Sequence, residues 1–123
     1  TVEVRFFPDN RDGNAALDAG GTGFAIRRPQ ARLHGSAHAN GALRFTTNQL
    51  DLPADLGVYP YAQVASEQAQ AHEILTVLIA RPAEDSEVPD AVIEATDTGW
   101  TVTVGEQSLR IHTTPNGPEV VWG

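Results

Sequence analysis

Six basic side chains crowd one stretch of this chain: Arg27, Arg28, Arg32, His34, His38 and Arg44. Arginine offers a planar fork of N–H donors that matches a carboxylate or a sulfate in bidentate fashion, so this set could hold an acidic ligand. The charge distribution supports that chemistry. The chain carries a net charge of −8, yet from Ala19 through Leu50 there is no Asp or Glu, so this third carries +4 and the remainder −12. The competing reading of the same residues is a solvated strand face, or a contact with an acidic neighbouring domain.

Other residue groups carry weaker signals. His34 and His38 are a metal pair only on a helix; on a strand, positions four apart lie roughly 13 Å apart, too far for one ion. Gly35 and Asn40-Gly41 oppose a helix there. Tyr59, Tyr61 and His72 are proton-transfer types in a Pro-rich connection, where packing or loop anchoring is the better reading. Asp9, Asn10, Asp12, Gly13 and Asn14 alternate oxygen donors as a calcium loop does, but the twelfth position counted from Asp9 is Gly20, not the Glu of an EF-hand, and a turn is favoured. Trp100 and Trp122 are candidates for sugar stacking. Trp100 shares a strand face with Val102 and Val104 and reads as core, whereas Trp122 is freer. The chain has no Cys, which removes cysteine nucleophiles and Cys-based zinc sites. Nucleophile-elbow, P-loop, dinucleotide and HExxH patterns are missing, and no cofactor is expected. The acidic balance argues against nucleic acid and anionic membranes as partners. No apolar stretch is long enough to cross a bilayer as a helix.

The elements that must position these residues read as strands throughout. Val2–Phe7 alternates and stops at Pro8. Phe24–Ile26 forms a second strand, and in Ala31–His38 the residues Ala31, Leu33 and Ala37 take one side while Arg32, His34, Ser36 and His38 take the other. Asn40-Gly41 then predicts a hairpin, with a three-residue loop pairing Ala37 with Phe45 and His38 with Arg44. That hairpin would gather Arg32, His34, His38 and Arg44 on one polar face. A short strand follows near Ala62–Ala65, and Ser66–His72 suits either a helical turn or the polar start of the next strand. The run from Glu73 to Pro82 is apolar without alternation, which predicts a central strand covered on both faces. An acidic loop from Glu84 to Glu87 leads to a strand over Ala91–Ala95. Trp100–Val104 then pairs with Gln107–Thr113 through Gly105-Glu106, setting Val102 against Leu109 and Trp100 against Ile111. Glu119–Trp122 closes the chain. Short strands at turn-punctuated intervals predict an all-β, antiparallel two-layer β-sandwich spanning residues 1–123. Thr1 opens directly into a strand, so the expected context is a longer polypeptide, with a processed product as the alternative.

The order of extended strand, paired strands, Leu52-Pro53, Tyr59-Pro60-Tyr61, the strand Glu73-Ile-Leu-Thr-Val-Leu-Ile-Ala-Arg-Pro82 and a Gly99-Trp100 hairpin resembles the C-terminal β-domain of heparinase II/III-like polysaccharide lyases. The resemblance implies a parent enzyme that cleaves uronic-acid polysaccharides by β-elimination, secreted or periplasmic. Such chemistry needs a group to neutralise the uronate, a base and an acid. In the family these come largely from a helical toroid, and no segment here matches it, so no catalytic residue carries over. The implied role is a non-catalytic accessory domain contacting a catalytic domain and an acidic polysaccharide. The alternative is a self-standing carbohydrate- or protein-binding module.

Overall fold

The computed structural model describes residues 2–67, 73–84 and 91–123. The described residues form eleven strands: β1 (Glu3–Phe6), β2 (Ala16–Gly20), β3 (Gly23–Arg27), β4 (Ala31–Ala39), β5 (Leu43–Gln49), β6 (Pro60–Ser66), β7 (Ile74–Pro82), β8 (Ala91–Ala95), β9 (Gly99–Val104), β10 (Gln107–Thr114) and β11 (Gly117–Trp122). Every pairing is antiparallel. The fold is therefore all-β, as the turn-punctuated alternation predicts. The strands belong to two compact units, Thr1–Val88 and Pro89–Gly123.

The first unit is a sandwich of a three-stranded sheet, ordered β1-β6-β5, and a four-stranded sheet, ordered β2-β3-β4-β7. Alternation decides what goes inside. Phe24 and Ile26 of β3, Ala37 of β4, and Ala62 and Val64 of β6 form the buried core. Phe6, Leu17, Ala19, Leu33, Leu43 and Phe45 pack around them. The rings of Phe6 and Phe24, from opposite sheets, stack at 4.9 Å. Gly35, facing the same interior, leaves the space that the Phe24 ring fills: a Cβ there would lie 2.2 Å from Cζ of that ring.

Strand β7 and the Asn40-Gly41 turn both depart from the sequence expectation. The apolar run Ile74–Pro82 is an edge strand and has no buried residue; Leu78 is 47% exposed. The centre of the three-stranded sheet is β6, where Ala62 and Val64 are fully buried. Absence of alternation in β7 reflects apolar residues on both faces of an edge, not double coverage. The Asn40-Gly41 turn also does not close a hairpin: β4 pairs with β3 and β7, and β5 pairs with β6. Residues 40–42 instead carry the chain from one sheet to the other. Gln68–His72 and Asp85–Asp90 lie outside the described residues, and with them most of the Ser66–His72 and acidic-loop expectations.

The second unit is a meander ordered β11-β10-β9-β8. Its β9–β10 hairpin has the expected register, Val102 opposite Leu109 and Trp100 opposite Ile111. Gly105 sits in the turn at φ 59°, a left-handed conformation that glycine adopts without steric cost. Ile93, Trp100 and Val102 are buried, while Trp122 is 72% exposed.

Candidate functional site

The register of the four-stranded sheet gathers basic residues in a way different from the predicted hairpin. Arg27 of β3 lies directly opposite Arg32 of β4, and Arg32 lies directly opposite Arg81 of β7. Residues opposite one another in an antiparallel ladder project from the same face. Leu33 packs toward the core, so its neighbour Arg32, and with it the whole row, points outward. Three guanidinium-bearing residues thus stand side by side on adjacent strands, spaced by about 4.8 Å per strand.

His34 belongs to the next row of the same face, between Ala25 and Ile79. His38 also faces outward but stands six residues from Arg32, roughly 20 Å along the strand. It is too distant to share a ligand group with the row. Arg44 lies on β5 in the other sheet, where its neighbour is Ala65. Arg28, just past β3, is already engaged: its Nη1 and Nη2 donate to Asp12 Oδ1 and Oδ2 at 2.5 and 2.7 Å. Of the six candidates, Arg27, Arg32 and His34 therefore come together, and Arg81 joins them. Sequence reasoning missed Arg81 because only the β4–β7 pairing brings it in.

Like charges directly opposite one another oppose folding. At about 5 Å in water, each neighbouring pair costs roughly 0.8 kcal/mol, less when the flexible ends splay. One local anion offsets part of this, since Asp18 Oδ2 lies 2.5 Å from Arg27 Nη1. Arg32 and Arg81 have no ion pair among the described residues. A charge-assisted hydrogen bond contributes about 1.5–3 kcal/mol, which exceeds the repulsion it would relieve. The row is therefore chemically suited to carboxylate or sulfate groups.

The other candidates resolve into structure. The Asp9–Asn14 loop is a turn that uses its own oxygens. Asp9 Oδ1 accepts from Arg11 N at 3.1 Å, Asp12 Oδ1 from Asn14 N at 3.0 Å, and Asn10 Oδ1 from Ala15 N at 3.0 Å. Hydrogen bonds from the Arg11 side chain and backbone push the Asp9 carboxyl down to about 2. The Arg28 side chain, then the Asn14 backbone, hold the Asp12 carboxyl well below the usual range. Tyr61 is buried against Phe7, ring centroids 4.9 Å apart, with the Arg5 guanidinium 4.9 Å from its ring centre. That is packing, and the His72 suggested beside it lies outside the described residues. His34 and His38 share the extended strand β4, which keeps their rings apart. Among the described residues no group of three or more His, Cys, Asp or Glu could hold a metal ion.

A second polar feature lies on the outer face of the three-stranded sheet. Glu3, Arg44, Thr46, Asn48 and Gln63 line an open depression of ≈ 440 Å³. Neutral hydrogen-bonding groups outnumber the charges there, which are the carboxylates of Glu3 and Glu67 and the guanidinium of Arg44. No family model, no curated protein and no solved structure matches the chain.

The Asp12–Arg28 contact has a pH consequence. A carboxyl whose folded value lies below its unfolded value stabilises fully above the ordinary carboxylate range, about 4, and loses that contribution as pH falls through the lowered value. Urea unfolding midpoints of the wild-type chain should therefore fall on acidification below about pH 4. Asp12→Asn should flatten that decline, leaving the part due to Asp9. An identical acid profile in the variant would show that the contact adds nothing on this exposed surface.

Proposed function

We propose that this chain is a non-catalytic accessory β-sandwich that binds an anionic polysaccharide on the outer face of its four-stranded sheet. The observation that carries the reading is the lateral row Arg27, Arg32 and Arg81 on three adjacent strands. In this reading the arginines contact successive carboxylate or sulfate groups, and His34 borders the ligand. The likeness of Glu73–Pro82 to a strand in the C-terminal β-domain of heparinase II/III-like lyases supports a uronic-acid polysaccharide as ligand and a β-eliminating catalytic domain as neighbour. The chain's own part is retention and orientation of the polymer; bond cleavage belongs to that neighbour.

A self-standing carbohydrate-binding module is the second reading, favoured by the depression around Thr46, Asn48 and Gln63. Amide and hydroxyl groups there suit sugar hydroxyls more than carboxylates.

Calorimetric titration with a uronic-acid oligosaccharide separates the two. Arg32→Ala, at the centre of the row, should weaken binding at least about tenfold. Gln63→Ala should leave it unchanged. The opposite pattern supports the second reading, and a chain with no affinity for either charged or neutral oligosaccharides overturns both.

A further inference from the structure

Among the described residues, most sheet edges carry features that discourage a neighbouring strand. Strand β1 is four residues long and bears Glu3 and Arg5, and β2 is five residues long and ends in Gly20. Strand β5 bears Arg44, Asn48 and Gln49, β8 is short and bears Glu94, and β11 contains Pro118 and Glu119. Strand β7 differs. It is nine residues long, and from Ile74 to Ala80 it has no charge, glycine or proline. A long, exposed, apolar edge is a template for another strand.

The sequence of β7 indicates which strand fits. We propose that two copies of this chain join edge to edge through β7, antiparallel about a two-fold axis at Val77, merging two four-stranded sheets into one of eight strands. In this register Val77 meets Val77 of the second copy, Leu75 meets Ile79, Thr76 meets Leu78 and Ile74 meets Ala80. The two charges at the ends also meet: Glu73, which is exposed, lies opposite Arg81, once at each end. Moving the axis to Leu78 instead sets Arg81 against Leu75 and Glu73 against Ala83. Only the Val77-centred register matches both charges while keeping every apolar residue against another uncharged one.

Face assignments agree with this register. Opposed residues in an antiparallel pair share a face, so Leu75, Val77 and Ile79 of both copies extend one outer surface. Ile74, Thr76, Leu78 and Ala80 extend the inner one and give the exposed Leu78 a neighbour. A two-fold contact of one strand with itself closes at two copies, which ends the growth that an open edge otherwise permits. Dimerisation goes beyond ligand binding. It sets a carboxylate beside Arg81 and leaves Arg27 and Arg32 as the inner members of the basic row.

The test is sedimentation equilibrium of the 123-residue chain without oligosaccharide, so that it is independent of the ligand-binding reading. The expected mass is twice the 13.1 kDa of one chain. Val77→Lys, which sets two cations together on the axis, should give a monomer with an unchanged far-ultraviolet circular dichroism spectrum. Glu73→Arg and Arg81→Glu should each weaken the dimer by about tenfold or more, because each variant opposes like charges at both ends. The double variant E73R/R81E should restore it. The charge-swap series remains decisive if V77K does not fold. A wild-type chain that stays monomeric at every concentration, or a dimer indifferent to the three single variants, overturns the proposal. Capture of β7 by a strand from a different protein, with no self-association, overturns it equally.

Discussion

Gly35→Ala is expected to destabilise the first unit by about 3 kcal/mol, the upper part of the usual range for overpacking a tight core. The reason is steric. The new methyl carbon would lie 2.2 Å from Cζ and 2.3 Å from Cε1 of Phe24, where carbon atoms normally approach no closer than about 3.5 Å. The ring cannot simply swing aside, because it is buried and stacks on Phe6 at 4.9 Å. For a unit of this size the melting temperature should fall by about 10–20 °C. Shortening the obstacle should relieve the variant, so Phe24→Leu should cost less in the G35A background than in the wild type. Additive costs in thermal unfolding would show that the ring is not what Gly35 accommodates. Gly41→Ala is the control: nothing lies within 4 Å of its Cβ position, and its effect should stay within about 0.5 kcal/mol.

Gly99→Ala should damage the second unit at least as severely, again by about 3 kcal/mol or more. Here the obstacle is backbone. The added carbon would lie 1.9 Å from the Ile111 carbonyl oxygen and 2.9 Å from its carbon. The clash falls where β9 pairs with β10, beside Trp100 opposite Ile111. Neighbouring turn bonds, Thr96 N to Gly99 O and Thr113 N to Thr98 O, both at 2.8 Å, fix this corner. Relief therefore requires separating the strands, which uncovers Trp100. Both tryptophans of the chain, Trp100 and Trp122, belong to this unit, so tryptophan fluorescence reports on it selectively. The expected result is a lower unfolding midpoint with red-shifted emission before the transition. Unchanged emission and midpoint would mean that the corner yields without cost.

What was legible in the sequence was the local part. Trp100, Val102 and Val104 alternate with threonines, and a glycine follows where the chain reverses, so class, register and burial of that hairpin follow from residues next to each other. The β4 alternation was equally plain, and it placed Arg32 and His34 on the solvent face. The failures were long-range. Asn40-Gly41 signals a reversal, but a turn does not state whether the next strand returns to its neighbour or crosses to the facing sheet. Strand β4 already has β3 on one side and β7 on the other, so β5 joins β6 instead. Strand β6 reads weakly in the sequence because Ala62 is a small residue with a weak strand signal, although it is fully buried. Conversely β7 has the strongest strand composition and lies at an edge, because hydrophobicity on both faces does not specify what covers them. The basic row is subject to the same limit. Arg27 and Arg32 flank one tight reversal, closed by Arg28 N donating to Ala31 O at 2.8 Å. Arg81 arrives only through pairing between distant strands, and Arg28 is removed by Asp12 from a separate loop.

The proposed ligand of the basic row on the β2-β3-β4-β7 sheet is an anionic polysaccharide. The most direct test is a titration of the isotopically labelled chain with a uronic-acid oligosaccharide, followed by backbone amide chemical shifts at low and at high salt. Binding at the row should give shifts concentrated at Ala25–Arg27, Arg32–His34 and Ile79–Arg81, weakening as salt screens the charges. Shifts concentrated instead around Arg44, Thr46, Asn48 and Gln63, or none at any ligand concentration, would contradict it.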